Sequence, residues 1–307
     1  MTSRSDILVT VVIPAFNAEE YVAQSITSVL TQEHELIELI VVDDGSTDRT
    51  QEKIAQFNDD RLTVLSGPNR GVIRARNAGL NRARGELVAF LDADDYWLTE
   101  KLARHVDFMA ARPRIVALGS FMRYVSSSDR SLGTAGQSIG AREVRLMAQG
   151  GLMPFPLSSV AFRTDAVRRI GGFDEALPGQ AEDLDLMARI VSIGEVDLIP
   201  EVLGAYRIHG SSATVKAGRL QRTATRFVRA RLKARAEDRD LTWDEFLLAY
   251  RPSFRQRYGD LVQLAYRSAG LNAAEHRWAA AIGHGVLALA SGPRYTITRL
   301  VKQRASI

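Results

Sequence analysis

Residues 36–48 read LIELIVVDDGSTD and residues 86–95 read ELVAFLDADD, two apolar runs that each break off in aspartates. Both runs are continuous rather than alternating, which marks strands buried on both faces. Carboxylates crowded at a strand end repel one another, so such clusters persist where a cation or a ligand's hydroxyl and N–H groups satisfy them. Upstream, LVTVVIP at 8–14 is a run of the same kind, and apolar residues at 22, 26, 29 and 30 give Ala18 to Gln32 a helical spacing. The chain therefore opens with a βαβ unit, whose crossover is right-handed by rule. A helix over Asp48 to Phe57, with Ser46 or Asp48 as its cap, a short strand at 62–65, a helix over Gly71 to Ala83 and a strand at 86–91 extend the alternation. This order predicts an α/β fold, a mostly parallel sheet flanked by helices, with ligands at the carboxyl ends of its strands.

After Asp95 the pattern loosens. It predicts a helix from Thr99 to Ala110, a strand at 114–121, a small, polar, Gly-rich mobile loop at 126–140 and a helix at 142–149. A strand at 158–163, helices at 164–170 and 182–193 and a strand at 196–208 follow. Beyond about 215 the text is helical, so the expected organisation is a domain over 1–212 and a helical extension over 213–307.

A chain of 307 residues, 46% of them apolar, buries a full core. The absence of cysteine excludes disulfides, thiolate catalysis and Cys-ligated zinc, and suits a reducing cytosol. The N-terminus lacks a signal peptide's apolar centre, and no uncharged apolar run reaches the roughly 18–20 residues that span a bilayer. A cytoplasmic setting is expected. Charge divides unevenly, with 22 Lys/Arg and 29 Asp/Glu up to residue 215 and 18 against 7 from Lys216 onward. Basic residues at 216, 219, 222, 226, 229 and 233 recur at helical spacing, which suggests peripheral docking on the inner leaflet; a solvated bundle or a homodimer contact are the competing uses. No GxxxxGK or GxGxxG follows a strand, which removes the main support for kinase and dinucleotide readings.

Several short stretches carry candidate chemistry. Pro14-Ala15-Phe16-Asn17 ends the first strand, where the aromatic ring can pack on a nucleobase or simply line a loop. In Asp43-Asp44-Gly45-Ser46, two adjacent acids exceed what a helix cap needs and suit an imide N–H or a ribose hydroxyl. Arg74 and Arg76 lie near a helix N-terminus, which favours a phosphate, although solvated arginines explain them equally well. Asp92 and Asp94 fall on one side by alternation, the usual carboxylate provision for Mg²⁺ or Mn²⁺ with substrate phosphates. Glu182-Asp183 opens a helix, where acids are also ordinary dipole partners, and Arg207 and His209 end the last strand.

Together VVIPAFNAEEYVAQSITSVLTQ, ELIVVDDGSTDRT, GVIRARNAGLNRARGELVAFLDADD and GGFDEALPGQAEDLDLMARI resemble the family 2 glycosyltransferases of the GT-A fold over roughly residues 8–210. The resemblance implies a Rossmann-like mixed, mostly parallel sheet and inverting transfer of a sugar from a nucleotide-diphosphate donor, with UDP favoured, to an acceptor hydroxyl in bacterial surface polysaccharide or glycolipid synthesis. It places Pro14, Ala15, Phe16, Asn17, Asp43, Asp44 and Arg76 on the nucleotide, Asp92 on the ribose and Asp94 on Mn²⁺ or Mg²⁺. It makes Asp183 the general base beside Glu182, and sets Arg207 and His209 near the diphosphate, His209 also as a metal ligand. Glycan or lipid-linked acceptors are the implied partners, and nucleic acid is not. The rival readings are a non-catalytic glycan- or nucleotide-binding scaffold and a sugar-phosphate nucleotidyltransferase. The latter needs a basic Gly-rich loop where PAFNAEE is acidic.

Overall fold

The computed structural model describes residues 6–135, 140–177, 181–209, 218–274, 278–292 and 296. They form two compact units, one from residues 1–122 and 135–206, the other from 123–134 and 207–307. The second unit thus takes in residues 123–134 as well, a segment that a boundary near 212 leaves out.

The first unit opens as the alternation predicts. Strand β1 (Val9–Ala15) leads through helix α1 (Val22–Leu30) to β2 (Ile37–Asp43), then α2 (Thr50–Ile54), β3 (Leu62–Ser66), α3 (Val72–Arg82) and β4 (Leu87–Phe90). Next in the chain come β5 (Tyr96–Trp97), α4 (Lys101–Ala110), β6 (Ile115–Val125), β7 (Ser131–Ala135), α5 (Ala141–Gln149), β8 (Ala161–Arg163), α6 (Thr164–Arg169), α7 (Glu182–Ile190) and β9 (Glu195–Arg207), of which the end of β6 and nearly all of β7 fall in the second unit. The sheet order is β3-β2-β1-β4-β8-β6-β9-β5, with β7 beside β6. β1 is parallel to β2 and β4, and β2 to β3, whereas β8 runs antiparallel to β4 and β6, and β5 antiparallel to β9.

Every residue of β1, β2 and β4 is buried, which explains their unbroken apolar text. Within β2, Glu38 is a buried acid in mid-strand. It accepts hydrogen bonds from Thr10 Oγ1 at 2.6 Å and from Arg84 N at 2.8 Å, with Arg84 Nε 2.6 Å from its other oxygen. Burial pushes its pKa up, but Thr10 and Arg84 prevail and hold it below the usual value. Gly79, in mid-α3, lies against Val12 of β1 so closely that a Cβ would overlap the valine methyls. Gly79→Ala is therefore expected to destabilise the fold by about 1–3 kcal/mol, read as a lower denaturant midpoint.

The departures from the sequence reading are local. Residues 131–135 form a strand inside the stretch predicted to be a mobile loop, because Ser126 N donates to Arg130 O at 2.9 Å and turns the chain back on β6. Leu157–Ser159 is a 3₁₀ turn, which shortens the strand predicted at 158–163. The two-residue β5 has too little text to show a period. Helix α2 is only five residues long and its N-cap is Arg49, not Ser46 or Asp48; Asp48, one residue earlier, accepts Thr50 N at 2.9 Å.

The second unit contains helices α8 (Gly218–Arg235), α9 (Trp243–Ala249), α10 (Phe254–Ala274) and α11 (Trp278–Ser291). Thr242 and Glu245 form a reciprocal capping box at the start of α9. Phe227 meets Trp243 edge-on at 5.2 Å, and Phe246 stacks on Tyr250 at 4.9 Å. Two members of the expected basic stripe turn inward, since Arg222 and Arg226 both pair with Asp260 of α10, at 3.2 and 2.7 Å. Residue 216 lies outside the described residues.

Candidate active site

Parallel pairing brings three loops to one edge. Ala15 is in register with Asp43, and β4 lies on the other side of β1, so the loops after β1, β2 and β4 emerge together. The first two are laced to each other. Asn17 N donates to Ser46 Oγ at 3.0 Å, Thr47 N to Asn17 Oδ1 at 2.8 Å and Glu19 N to Asp48 at 3.1 Å. Asn17 has a positive φ of 49°. Gly45 has φ +76°, and a Cβ there would come within 2.6 Å of Asn69 N, so the DDGS turn requires glycine.

The two aspartates of that turn face different tasks. Asp43 is buried and accepts from Ser46 N and Gln51 Nε2. Asp44 holds the loop leading into α3, one oxygen accepting Arg70 N and the other Gly71 N, both at 2.8 Å. Pro14 and Ala15 are buried in the sheet, whereas the Phe16 ring stands in solvent beside this turn.

At the end of β4, carboxylate oxygens of Asp92, Asp94 and Asp95 lie within 4.8 Å of one another. Three hard oxygen donors at this spacing fit Mg²⁺ or Mn²⁺. Sequence reading named only Asp92 and Asp94, because alternation assigns Asp95 to the other side. The short turn removes that alternation, with Asp95 N bonding back to Asp92 O at 3.0 Å.

The cluster is braced from behind by residues that carried no visible signal. Ser25 Oγ on α1 lies 2.8 and 2.6 Å from the carbonyls of Ala93 and Asp95, and Asp92 N donates to Ser158 Oγ at 3.2 Å. Trp97 Nε1 donates to Ser158 O at 2.7 Å, and the fully buried Lys101 Nζ donates to Ser159 O at 2.7 Å, with His105 Nε2 3.2 Å away. Burial pushes the pKa values of Lys101 and His105 well down, while the Ser159 carbonyl and the Trp97 ring, 4.9 Å from Lys101 Nζ, are the groups that face the amine.

Arg76 joins the cluster to the acids of α7. Its guanidinium donates to Asp92 Oδ1 and Glu182 Oε1, both at 2.6 Å, and sits over the Phe173 ring at 5.6 Å. It is buried, so the solvated alternative is overturned for Arg76; its two pairing partners are carboxylates. Arg74 is exposed and pairs with Glu175 at 3.1 Å. Arg76 Nε and Glu182 Oε2 are buried without a hydrogen-bond partner among the described residues.

Asp183, next to Glu182, is partly accessible and accepts Leu184 N at 2.7 Å. Desolvation, with the Glu182 charge adding to it, raises its pKa to about 7, and Leu184 N and Arg76 offset only part of this. Asp92 is also raised, first by desolvation and against the pull of Arg76, with Asp94 adding repulsion. One end of the bridge thus offers a cation-binding carboxylate set and the other a carboxylate basic enough to accept a proton near neutrality.

Arg207 and His209 belong to the second unit and are both buried. There Arg207 pairs with Asp129 at 2.8 Å and donates to the carbonyls of Ser126 and Ser127.

The mixed, mostly parallel sheet flanked by helices is the GT-A fold. The sequence pattern of "Glycosyl transferase family 2" matches residues 10–171, and the chain belongs to that family. It is 41% identical over 105 residues to the Escherichia coli UDP-Glc:alpha-D-GlcNAc-diphosphoundecaprenol beta-1,3-glucosyltransferase WfgD, a match spanning 34% of this chain and 42% of that relative's length. In fold it resembles residues 1–349 of S. aureus TarS in complex with UDP, with a TM-score of 0.57 and 19% identity over 94% of this chain and 91% of that one. It also resembles the mannosyltransferase PcManGT of Pyrobaculum calidifontis in complex with GDP-Man and Mn²⁺, with a TM-score of 0.54 and 20% identity over 97% and 80% of the two chains.

Proposed function

We propose that this family 2 enzyme is an inverting, metal-dependent transferase. It moves a sugar from a UDP-linked donor to an acceptor hydroxyl in bacterial cell-surface polysaccharide or glycolipid synthesis. The observation that carries this reading is the Asp92–Arg76–Glu182 bridge, which fixes the metal-competent cluster next to the raised carboxylate of Asp183. The UDP-Glc donor and diphosphoundecaprenol acceptor named for WfgD, and the nucleotides held by TarS and PcManGT, support the substrate class.

In this reading the loop of Pro14, Ala15, Phe16 and Asn17 and the Asp43–Asp44 turn receive the base, and Asp92 receives the ribose. Asp94, with Asp95 beside it, holds Mn²⁺ or Mg²⁺, which when bound neutralises charge on the leaving diphosphate. Asp183 takes the proton from the acceptor hydroxyl as its oxygen bonds to the anomeric carbon. The bond from that carbon to the diphosphate oxygen breaks on the opposite face, so the configuration inverts and the nucleoside diphosphate departs with the electron pair. Arg207 and His209 are assigned to the diphosphate side, His209 also to the metal. The enzyme acts at the cytoplasmic face, its basic C-terminal helices meeting the membrane.

The test is thermal shift with UDP in the presence and absence of Mn²⁺ or Mg²⁺, followed by nucleotide release from a panel of UDP-, GDP- and dTDP-sugars. Metal is expected to enhance the UDP-dependent stabilisation, and Asp94→Ala to abolish the enhancement. Equal stabilisation without metal overturns the assignment of Asp94, and release from a GDP- or dTDP-sugar alone overturns the UDP assignment.

A further inference from the structure

Helix α11, WAAAIGHGVLALAS, contains no Asp, Glu, Lys or Arg. Such a helix, apolar around its circumference, is normally buried on all sides. Among the described residues, one side of it is covered and another is exposed. Ala281 and Ala288 are buried, Gly285 faces Ala269 of α10, and Gly292 lies so close to Val262 of α10 that a Cβ there would overlap the valine methyls. Away from that contact Ile282 is 65% exposed and Val286 60%, with Leu289 exposed beside them. On α10, Phe254 is 84% exposed and Leu261 61%.

The charge of this part of the sequence favours one occupant for these side chains. From Arg251 to the C-terminus the sequence has nine Arg/Lys and two Asp/Glu. One of those two acids, Asp260, is already neutralised by Arg222 and Arg226. A second copy would bring two such cationic stretches together, whereas an anionic bilayer satisfies both the exposed apolar side chains and the positive excess of the sequence. Fourteen residues span about 21 Å, short of the roughly 30 Å hydrocarbon core, and no helix among the described residues is long and apolar enough to cross a membrane. We propose that α11 lies in the interface of an anionic lipid bilayer, its exposed Ile282, Val286 and Leu289 entering the acyl boundary.

This inference rests on the membrane contact proposed above and changes its physical basis. The contact is made by apolar insertion through α11, and the arginines of α8 that pair with Asp260 serve the unit's own packing. Insertion and surface attraction differ in their response to salt, because exposed charges are screened and buried apolar surface is not.

The experiment is flotation of the full chain with phosphatidylcholine vesicles containing phosphatidylglycerol, at low and high salt. Binding is expected to persist at high salt. An Ile282→Gln, Val286→Gln, Leu289→Gln variant is expected to lose at least tenfold in bound fraction with an unchanged melting curve, since the three side chains are exposed. Because the chain has no cysteine, Val286→Cys carries a polarity-sensitive dye cleanly; it is expected to shift to the blue on vesicles, while a dye on Gln56→Cys in the first unit does not. Absence of flotation, flotation lost at high salt, or a lipid-free dimer that the triple variant dissolves each overturns the proposal. Flotation involves no sugar transfer, so its failure leaves the transferase reading standing, and a protein that floats but transfers no sugar removes only the latter.

Discussion

Asp183→Asn lowers kcat for sugar transfer by about 10²- to 10⁴-fold, the contribution of a positioned general base, and leaves UDP-dependent thermal stabilisation intact. In the parent enzyme the rate rises with pH through about 7, because desolvation beside Glu182 keeps Asp183 protonated below that point. This limb disappears from the residual activity of the variant. Stability moves the other way. An aspartate in the unfolded chain ionises near pH 3.9, so a native value of about 7 means that native stability is lost as pH rises between these values. Asp183→Asn removes that loss, and its melting temperature at pH 8 equals or exceeds the parent's. A variant with parental kcat removes Asp183 from the mechanism, and one that melts earlier at pH 8 makes its role structural.

Arg76→Met is expected to cost about 3–5 kcal/mol in stability, the range for breaking one partner out of a buried ion pair. It leaves Asp92 and Glu182 facing each other without the guanidinium that lies 2.6 Å from each. Arg76→Lys restores a charge but not the planar fork that reaches two carboxylates at once, so it recovers only part of the loss. Adding Glu182→Gln to Arg76→Met removes one of the stranded charges. The double variant is then more stable than the single variant, a non-additivity that chemical denaturation measures directly. A loss below about 1 kcal/mol for Arg76→Met places the bridge among the weak ion pairs of solvated surfaces and removes its structural role.

These two residues differ in how visible they are in the text. Asp183 is legible only through the order of four motifs, since one acid at a helix start is ordinary by itself. Arg76 was found as a cation near a helix N-terminus, but its two partners lie 16 and 106 residues away, and no local pattern specifies which carboxylates it meets. Ser25, Ser158 and Lys101 brace the aspartate cluster through carbonyl and backbone N–H groups, which every residue possesses, so their partners leave no mark in the sequence. The basic stripe of α8 is only partly a surface feature for the same reason. Periodicity gives the face a residue occupies, not whether an acid such as Asp260 is waiting opposite it.

The sequence alone determined the α/β alternation, the strand ends that carry the acids and the family, because burial of continuous apolar runs and helical spacing are local and periodic. Tertiary structure decided that Asp95 joins Asp92 and Asp94, that Arg76 is an internal bridge, that Glu182 is its far anchor and that Ile282, Val286 and Leu289 of α11 are exposed. Those outcomes depend on distances between segments remote in the chain, where electrostatics and desolvation act through space.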